Sequence, residues 1–264
     1  MSEWLQAIAL ALVQGLTEFL PVSSSAHLLF PSLLLGWPDQ GLAFDVAVHF
    51  GTLLAVLWYF RSDLAALLTG AGALARGQFD TQESRELVYL AVATVPAVLA
   101  GFMLKDVIGT LRTIPVISTT TILFAVVLAI ADRVNFTSRS TQVGSFWVAL
   151  LIGLAQALAL IPGTSRSGIT LSAALFLGLT RKAAARFSFL LSIPVITGAA
   201  ILATVDLLAS PTTVNWPLLA VALTVAAFVA YLTIALFIRF VERVGMMPFV
   251  VYRLLLGCAL IVII

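Results

Sequence analysis

Long apolar runs separated by short polar stretches make up most of this chain. Six of the runs approach the roughly 20 residues that a helix needs to cross a membrane. These predicted spans lie at about 43–60, 87–104, 114–131, 187–207, 217–239 and 247–264. The polar stretch 61–86 encloses a shorter apolar segment, 64–75, which predicts a short helix on the membrane surface.

Two other apolar segments, 4–35 and 146–179, are each interrupted by a proline and several hydroxyl-bearing residues. Proline ends a helix because it lacks a backbone N–H, whereas serine and threonine favour the start of the next helix. Each arm then has about 15 residues, which is too short to cross the hydrocarbon core. The pattern predicts two re-entrant helical hairpins, a structure that is tolerated only when it is buried in protein.

The second half of the chain repeats the plan of the first half. Laying Pro21 on Pro162 aligns the two breaks, and three predicted spans follow each hairpin. A hairpin returns to its own side and three spans cross, so the second repeat begins on the opposite side of the membrane. We therefore expect an all-α polytopic membrane protein with an inverted-topology repeat, 1–131 and 132–264, forming one integral membrane domain. A duplicated bundle with accidental breaks is the alternative.

Composition agrees with this pattern. Hydrophobic residues make up 61% of the chain and charged residues 10%, and the mean hydropathy is +1.13, which together exclude an ordinary soluble domain. A formal net charge of +2 without a dense basic cluster gives no indication of nucleic-acid binding. The single cysteine, Cys258, indicates neither a disulfide nor a cysteine metal site. Because Glu18 interrupts the first apolar run, we do not interpret that run as a cleaved signal peptide.

Basic residues are distributed unequally between the two sides of the predicted membrane domain. Ten lie on the side reached after the first span: Arg61, Arg76, Arg85, Arg133, Arg139, Arg181, Lys182, Arg186, Arg239 and Arg243. Only Lys105 and Arg112 lie on the other side, and Arg166 and Arg253 fall within membrane segments. The excess of positive charge predicts that the side with ten residues is cytoplasmic, so the first hairpin opens to the outside.

The first break carries a carboxylate, three consecutive hydroxyls and an imidazole. Gln14 and Glu18 are four residues apart and face the same way on a helix. Ser24 and His27 lie one turn apart at the start of the following helix, and a helix N-terminus attracts phosphate. A helix end followed by a helix start would by itself explain the proline and serines, but ionisable groups at membrane depth indicate function.

The second break carries Arg166 among hydroxyl-bearing residues. Its planar fork suits bidentate binding of phosphate, and further donors come from neighbouring Thr164, Ser165 and Ser167. A purely structural ion pair between Arg166 and Glu18 is the alternative. An arginine, a hydroxyl, an imidazole and a carboxylate are the groups that phosphoryl transfer uses for positioning and charge stabilisation.

The two breaks resemble the signature motifs of a known family. Residues 14–27 (QGLTEFLPVSSSAH) and 162–168 (PGTSRSG) are similar to the motifs of the bacterial undecaprenyl-diphosphate phosphatases, the UppP/BacA family. Segments 44–52 and 187–194 also resemble that family, so the likeness covers nearly the whole chain. It implies a multi-pass enzyme of the bacterial inner membrane that converts undecaprenyl diphosphate to undecaprenyl phosphate and inorganic phosphate. It also implies recycling of the lipid carrier for peptidoglycan synthesis, bacitracin resistance, and a divalent cation, Mg²⁺ or Ca²⁺.

The resemblance implies a role for each polar residue of the breaks. Those expected in catalysis are Glu18, Ser24, His27 and Arg166, with Glu18 also a candidate ligand for the cation. Those expected to bind substrate are Gln14, Ser23, Ser25, Thr164, Ser165 and Ser167. Gln14 stands where some members carry Glu, which puts direct metal binding by this residue in doubt. Ala26 stands where many members carry Gly, so a positive φ is less favourable there.

The sequence leaves two mechanisms open. Either Ser24 attacks the terminal phosphorus with His27 as general base, or His27 itself attacks. Asp45 and His49, one turn apart at the start of the first span, are interpreted as packing or supporting groups.

Two other classes of function are also open. An inverted repeat with broken helices suits a transporter or flippase of a polyprenyl phosphate or another anion. An intramembrane serine protease would use Ser and His but has no need for Arg166. The expected partners are a polyprenyl diphosphate lipid and membrane lipids, with no nucleic acid, and a homodimer is left open beside a monomer.

Overall fold

A computed structural model describes residues 2–38, 40–134, 140–209 and 215–263. Within these residues all regular secondary structure is helical, apart from one isolated β-bridge between Ser140 and Leu179. The helices are α1 Glu3–Thr17, α2 Ser24–Leu35, α3 Leu42–Tyr59, α4 Arg61–Ala75, α5 Gln82–Thr110, α6 Ile114–Arg133, α7 Phe146–Ala157, α8 Arg166–Phe176, α9 Arg181–Leu208, α10 Trp216–Val244 and α11 Met247–Ile263. A short 3₁₀ helix, Leu158–Leu160, follows α7. Arg139, one of the ten basic residues predicted to be cytoplasmic, lies outside the described residues.

The prediction of an all-α polytopic membrane protein is confirmed. In the described part of the chain, five helices are long and apolar enough to cross a membrane: Leu42–Tyr59, Gln82–Leu104, Ile114–Arg133, Arg181–Leu207 and Trp216–Val244. The sixth predicted span corresponds to α11, whose 17 residues lie at the lower end of the usual length for a membrane-spanning helix. The inverted-topology repeat stays a prediction.

The polar stretch 61–86 is more helical than the sequence predicts. The helix expected at 64–75 corresponds to α4, which begins at Arg61 directly after α3, and its location on the membrane surface stays a prediction. Helix α5 begins at Gln82, earlier than the predicted start at 87, because the Thr81 hydroxyl accepts a hydrogen bond from the backbone N–H of Ser84 and caps the helix. The cap therefore extends α5 to include a charged first turn, which a prediction from hydropathy alone leaves outside the helix.

The two predicted hairpins correspond to the pairs α1–α2 and α7–α8, whose helices have 15, 12, 12 and 11 residues. The first helix of each hairpin packs closely on a long helix at a glycine. A Cβ atom added to Gly15 would lie 2.8 Å from the carbonyl oxygen of Ala226 in α10, and one added to Gly153 would lie 2.6 Å from that of Ala93 in α5. The first helix of each hairpin thus packs directly on a long helix on one side, while Leu12 in α1 and Leu151 in α7 are exposed.

A cluster of aromatic rings packs around Phe19 in the first break. The Phe19 ring is fully buried, and its centroid lies 5.3 Å from that of Phe189 in α9. Phe189 also contacts Phe60 at 6.4 Å and Phe237 at 5.6 Å between ring centroids. These contacts hold the residue next to Glu18 and thereby restrict where the carboxylate can lie.

Ion pairs connect helices at the end of the bundle where the basic residues collect. Arg186 in α9 donates to Glu86 in α5 and, at 2.7 Å, to Asp63 in α4. Arg181 donates from Nε to Asp132 at 2.6 Å, joining α9 to α6. Two of the basic residues predicted to be cytoplasmic, Arg181 and Arg186, therefore also connect helices.

Candidate active site

The two breaks have the same local conformation. Ser23 and Ser165 are the two non-glycine residues with positive φ in the described part of the chain, at 74° and 70°, and each immediately precedes a helix. In each break the serine Oγ lies 3.3 Å from the Oγ of the serine two positions later, Ser25 or Ser167. Strained backbone of this kind is found mainly at functional sites, where surrounding contacts maintain it. Ala26, by contrast, lies in helix α2.

This shared geometry corrects the alignment of the breaks by one residue. An ungapped alignment on the two prolines places Ser24 opposite Ser165, but the structure places Ser23 opposite Ser165 and therefore Ser24 opposite Arg166. The additional residue in the second break is Gly163, whose φ of 88° is accessible to glycine at little cost. The first residue of each short helix is consequently a candidate for contact with phosphate.

The carboxylate of Glu18 lies at the centre of the site. Its Oε2 accepts hydrogen bonds from Gln14 Nε2 at 3.0 Å and from Ser24 Oγ at 2.9 Å. Its Oε1 accepts one from Arg166 at 3.3 Å, and the side chain is only 9% exposed. The structure thus brings together three of the four residues predicted to act in catalysis, together with Gln14.

The guanidinium of Arg166 donates hydrogen bonds to two acceptors. One terminal nitrogen donates to Glu18 and the other donates to the backbone carbonyl of Ser188 in α9 at 3.1 Å. Its Cζ also lies 5.9 Å from the centroid of the Phe19 ring. The ion pair between Arg166 and Glu18 that the sequence offered as an alternative is therefore present, and Arg166 and Ser24 donate to different oxygens of the same carboxylate.

His27 is oriented by groups other than Ser24. Its Nδ1 lies 2.7 Å from the carbonyl oxygen of Ser23, which can only accept, so Nδ1 carries the proton. Its Nε2 lies 2.5 Å from the hydroxyl of Tyr252 in α11, and the two rings stack with centroids 5.5 Å apart. In the neutral imidazole Nε2 then accepts from Tyr252, a partner that the sequence analysis did not predict.

A cavity of about 160 Å³ opens beside this network. Its polar lining consists of Ser24, Ser25, Gln40, Asp45, His49 and Arg112. His49 Nδ1 donates to the carbonyl of Asp45 at 2.8 Å, and its Nε2 lies 3.9 Å from Glu18 Oε2. His49 thus lies beside the Glu18 carboxylate, and the one-turn spacing of Asp45 and His49 gave no information about this contact with α1.

The hydroxyls of the second break have different environments. Ser165 accepts a hydrogen bond from the backbone N–H of Gly168 at 3.2 Å and caps α8. Ser167 donates to the carbonyl of Leu20 at 2.8 Å and so joins the second break to the first. Thr164 Oγ1 is buried and, within the described residues, has no hydrogen-bond partner; the same holds for Gln14 Oε1.

Arg253 is a member of the site for which the sequence analysis gave no role. It lies in α11, is fully buried, and donates to carbonyls of both breaks, including those of Pro21 and Gly163. The available sequence signal was an arginine inside an apolar run, which is costly at membrane depth. Its partners could not be predicted because they lie far away in the chain.

Comparisons with known proteins agree over nearly the whole chain. The family described as bacitracin resistance protein BacA matches residues 7–259. Proteins named undecaprenyl-diphosphatase from Alcanivorax borkumensis and Teredinibacter turnerae are 56% and 51% identical to this chain, each over 98% of both sequences. One of the same name from Hahella chejuensis is 53% identical over 98% of this chain and 97% of its own length.

Proposed function

This chain belongs to the BacA family of bacitracin resistance proteins, and from that membership we propose that it hydrolyses undecaprenyl diphosphate to undecaprenyl phosphate and inorganic phosphate. The reaction regenerates the lipid carrier of peptidoglycan synthesis and supports resistance to bacitracin. The transporter alternative is not favoured, since the relatives that match over 97–98% of their own length are named as diphosphatases.

One observation carries this proposal: Ser24 and Arg166 stand at the first positions of two short helices and share the carboxylate of Glu18. Backbone N–H groups at a helix N-terminus bind phosphate, and two such termini next to a guanidinium favour a diphosphate. The cavity that reaches Ser24 provides access. This arrangement positions a nucleophile and a cation on the same anion, as phosphoryl transfer requires.

In the proposed reaction Ser24 Oγ attacks the terminal phosphorus. A bond forms between Oγ and phosphorus, the bridging P–O bond breaks, and undecaprenyl phosphate leaves with its electron pair. The serine proton passes to Glu18 Oε2, which lies 2.9 Å from Oγ. Water then attacks the phosphoserine, and inorganic phosphate is released as the proton returns from Glu18 to Ser24.

The geometry favours Glu18 over His27 as the acceptor of the serine proton. Ser24 donates to Glu18, whereas His27 Nε2 lies 2.5 Å from the Tyr252 hydroxyl. His27 supports this mechanism by fixing the carbonyl of Ser23, the residue that precedes the nucleophile. Direct attack by His27 is the competing mechanism.

The residues of the breaks do not by themselves fit a resident divalent cation. Both oxygens of Glu18 already accept hydrogen bonds, one of them from a guanidinium. Gln14 contributes an amide in place of a second carboxylate, and the described residues include no group of three His, Cys, Asp or Glu placed to hold a metal ion. The Mg²⁺ or Ca²⁺ that the resemblance implies is therefore expected to enter on the oxygens of the diphosphate.

Phosphate release by the purified protein in detergent tests the activity. We expect about one phosphate per undecaprenyl diphosphate, because the proposed product is a monophosphate and transport is absent without a sealed membrane. A chelator should reduce the rate if the cation accompanies the substrate. No release beyond that of Ser24→Ala, together with anion flux in proteoliposomes, would instead establish a transporter.

We propose that the cavity opens to the periplasmic side of the inner membrane. The distribution of basic residues supports this orientation, because Arg112 lines the cavity and belongs to the side with few positive charges. In a Cys258→Ser background, Thr113→Cys should react with a membrane-impermeant thiol reagent in intact cells. Arg76→Cys should react only after permeabilisation, so labelling of Arg76→Cys in intact cells would reverse the orientation.

We also propose that the two halves, 1–131 and 132–264, are inverted-topology repeats. Two correspondences support this: the matching conformations of the breaks, and the packing of α1 on α10 and α7 on α5 through glycines. In such a repeat the two hairpin tips meet near the middle of the membrane. The catalytic groups would then be reached through the cavity beside Ser24.

A further inference from the structure

We propose that Arg253 is a positioning residue that fixes the two breaks relative to each other and thereby sets the geometry between Ser24 and Arg166. This inference rests on the proposed phosphatase activity and assigns a role to a residue outside both breaks. In the described part of the chain, every hydrogen bond of its guanidinium goes to a backbone carbonyl.

The guanidinium joins three separate segments. One terminal nitrogen donates to the carbonyls of Gly163 and Thr164, each at 3.0 Å, and the other donates to that of Pro21 at 3.4 Å. Nε donates to the carbonyl of Thr121 in α6 at 3.2 Å. A planar fork can serve acceptors in several directions at once, which a single ammonium cannot do with the same geometry.

The acceptors lie next to the groups proposed to act on substrate. Pro21 is three residues before Ser24, and Thr164 is two residues before Arg166. A shift of either carbonyl would move the first turn of the helix that follows it. Displacements of about 1 Å are enough to reduce an enzymatic rate about 10²-fold, so a residue that fixes these carbonyls has a direct effect on the rate.

Arg253 also places a positive charge next to the first turn of α8. A Cβ atom added to Gly168, in the first turn of that helix, would lie 2.7 Å from a terminal nitrogen of Arg253. Burying a cation among neutral carbonyls is unfavourable unless another group offsets its charge. A bound diphosphate would do so, since it would occupy the same helix N-terminus. The position of the charge is therefore consistent with a role in the reaction as well as in folding.

Two substitutions separate positioning from structure. Arg253→Lys keeps the charge but loses the fork, and we expect kcat for phosphate release in detergent to fall about tenfold while KM changes less than about threefold. Arg253→Met also removes the charge, and KM should then rise in addition. Arg243→Lys, at an exposed arginine of α10, is the matched control and should behave like the wild type.

Melting temperature and gel filtration would report folding of each variant. A folded Arg253→Lys with wild-type kcat, whatever its melting temperature, would overturn the inference, and so would a failure of Arg253→Lys to fold, which would indicate a purely structural role. If Arg253→Met is unfolded but Arg253→Lys folds, the kcat of Arg253→Lys alone tests the inference. An inactive wild-type protein would count against the proposed function, whereas an unimpaired Arg253→Lys counts against this inference alone.

Discussion

Replacing Ser24 with alanine is expected to reduce single-turnover phosphate release by at least about 10⁴-fold, because loss of a covalent nucleophile has effects of this size or larger. The hydroxyl is the one break hydroxyl found to donate to Glu18, at 2.9 Å, and it faces the cavity. Removing it leaves the carboxylate its bonds from Gln14 and Arg166. The fold should therefore be retained, and the measurement is made on folded protein in detergent at saturating substrate.

The corresponding change at His27 separates the two mechanisms. If His27 only fixes the first break through Ser23, His27→Ala should retain slow turnover, with a loss of about 10²-fold, the usual cost of displacing a reacting group by about 1 Å. Ser23→Ala and Ser25→Ala are the controls for neighbouring hydroxyls. Substantial activity in Ser24→Ala beside an inactive His27→Ala would identify His27 as the nucleophile. A trapped phosphoenzyme gives independent evidence, since phosphohistidine is labile in acid and phosphoserine is not.

Local features of the site could be predicted from the sequence because they depend on spacing within one or two helical turns. The four-residue interval from Gln14 to Glu18 places both on one helix face, and they are hydrogen-bonded at 3.0 Å. Pro21 and the serines after it end one helix and start the next, and Ser24 is the first residue of α2. These signals need no knowledge of the tertiary fold.

The remaining features depend on contacts between distant segments. The pairing of Arg166 with Ser188 and that of His27 with Tyr252 join different helices, and neither leaves a periodic signal in the sequence. The one-residue offset between the breaks arises from Gly163, whose positive φ lengthens the second break. An alignment on the prolines has no means of detecting that offset. Arg253 was visible as a charge at membrane depth, but its four carbonyl partners become evident only when both breaks are folded.

Substitution of Arg166 is expected to have the second-largest effect. Arg166→Gln removes the charge next to Ser24 and should lower kcat for phosphate release about 10²–10³-fold, the usual effect of losing one group that stabilises transition-state charge. Arg166→Lys keeps the charge and should recover part of this loss. A remaining deficit of roughly ten- to a hundredfold is expected, because one charge-assisted hydrogen bond is worth about 1.5–3 kcal/mol. The lysine ammonium cannot reproduce the fork that reaches both Glu18 and Ser188.

A double variant shows whether these losses arise in the reaction or in folding. Arg166→Gln leaves the nearly buried carboxylate of Glu18 without its cation, which destabilises the folded state. The double variant Glu18→Gln/Arg166→Gln removes both charges, so it should recover melting temperature while remaining inactive. Arg239→Lys, at an exposed arginine, controls for a general effect of the substitution. Near wild-type kcat and KM in folded Arg166→Lys would exclude bidentate phosphate binding by Arg166, and the ion pair with Glu18 would then be its whole function.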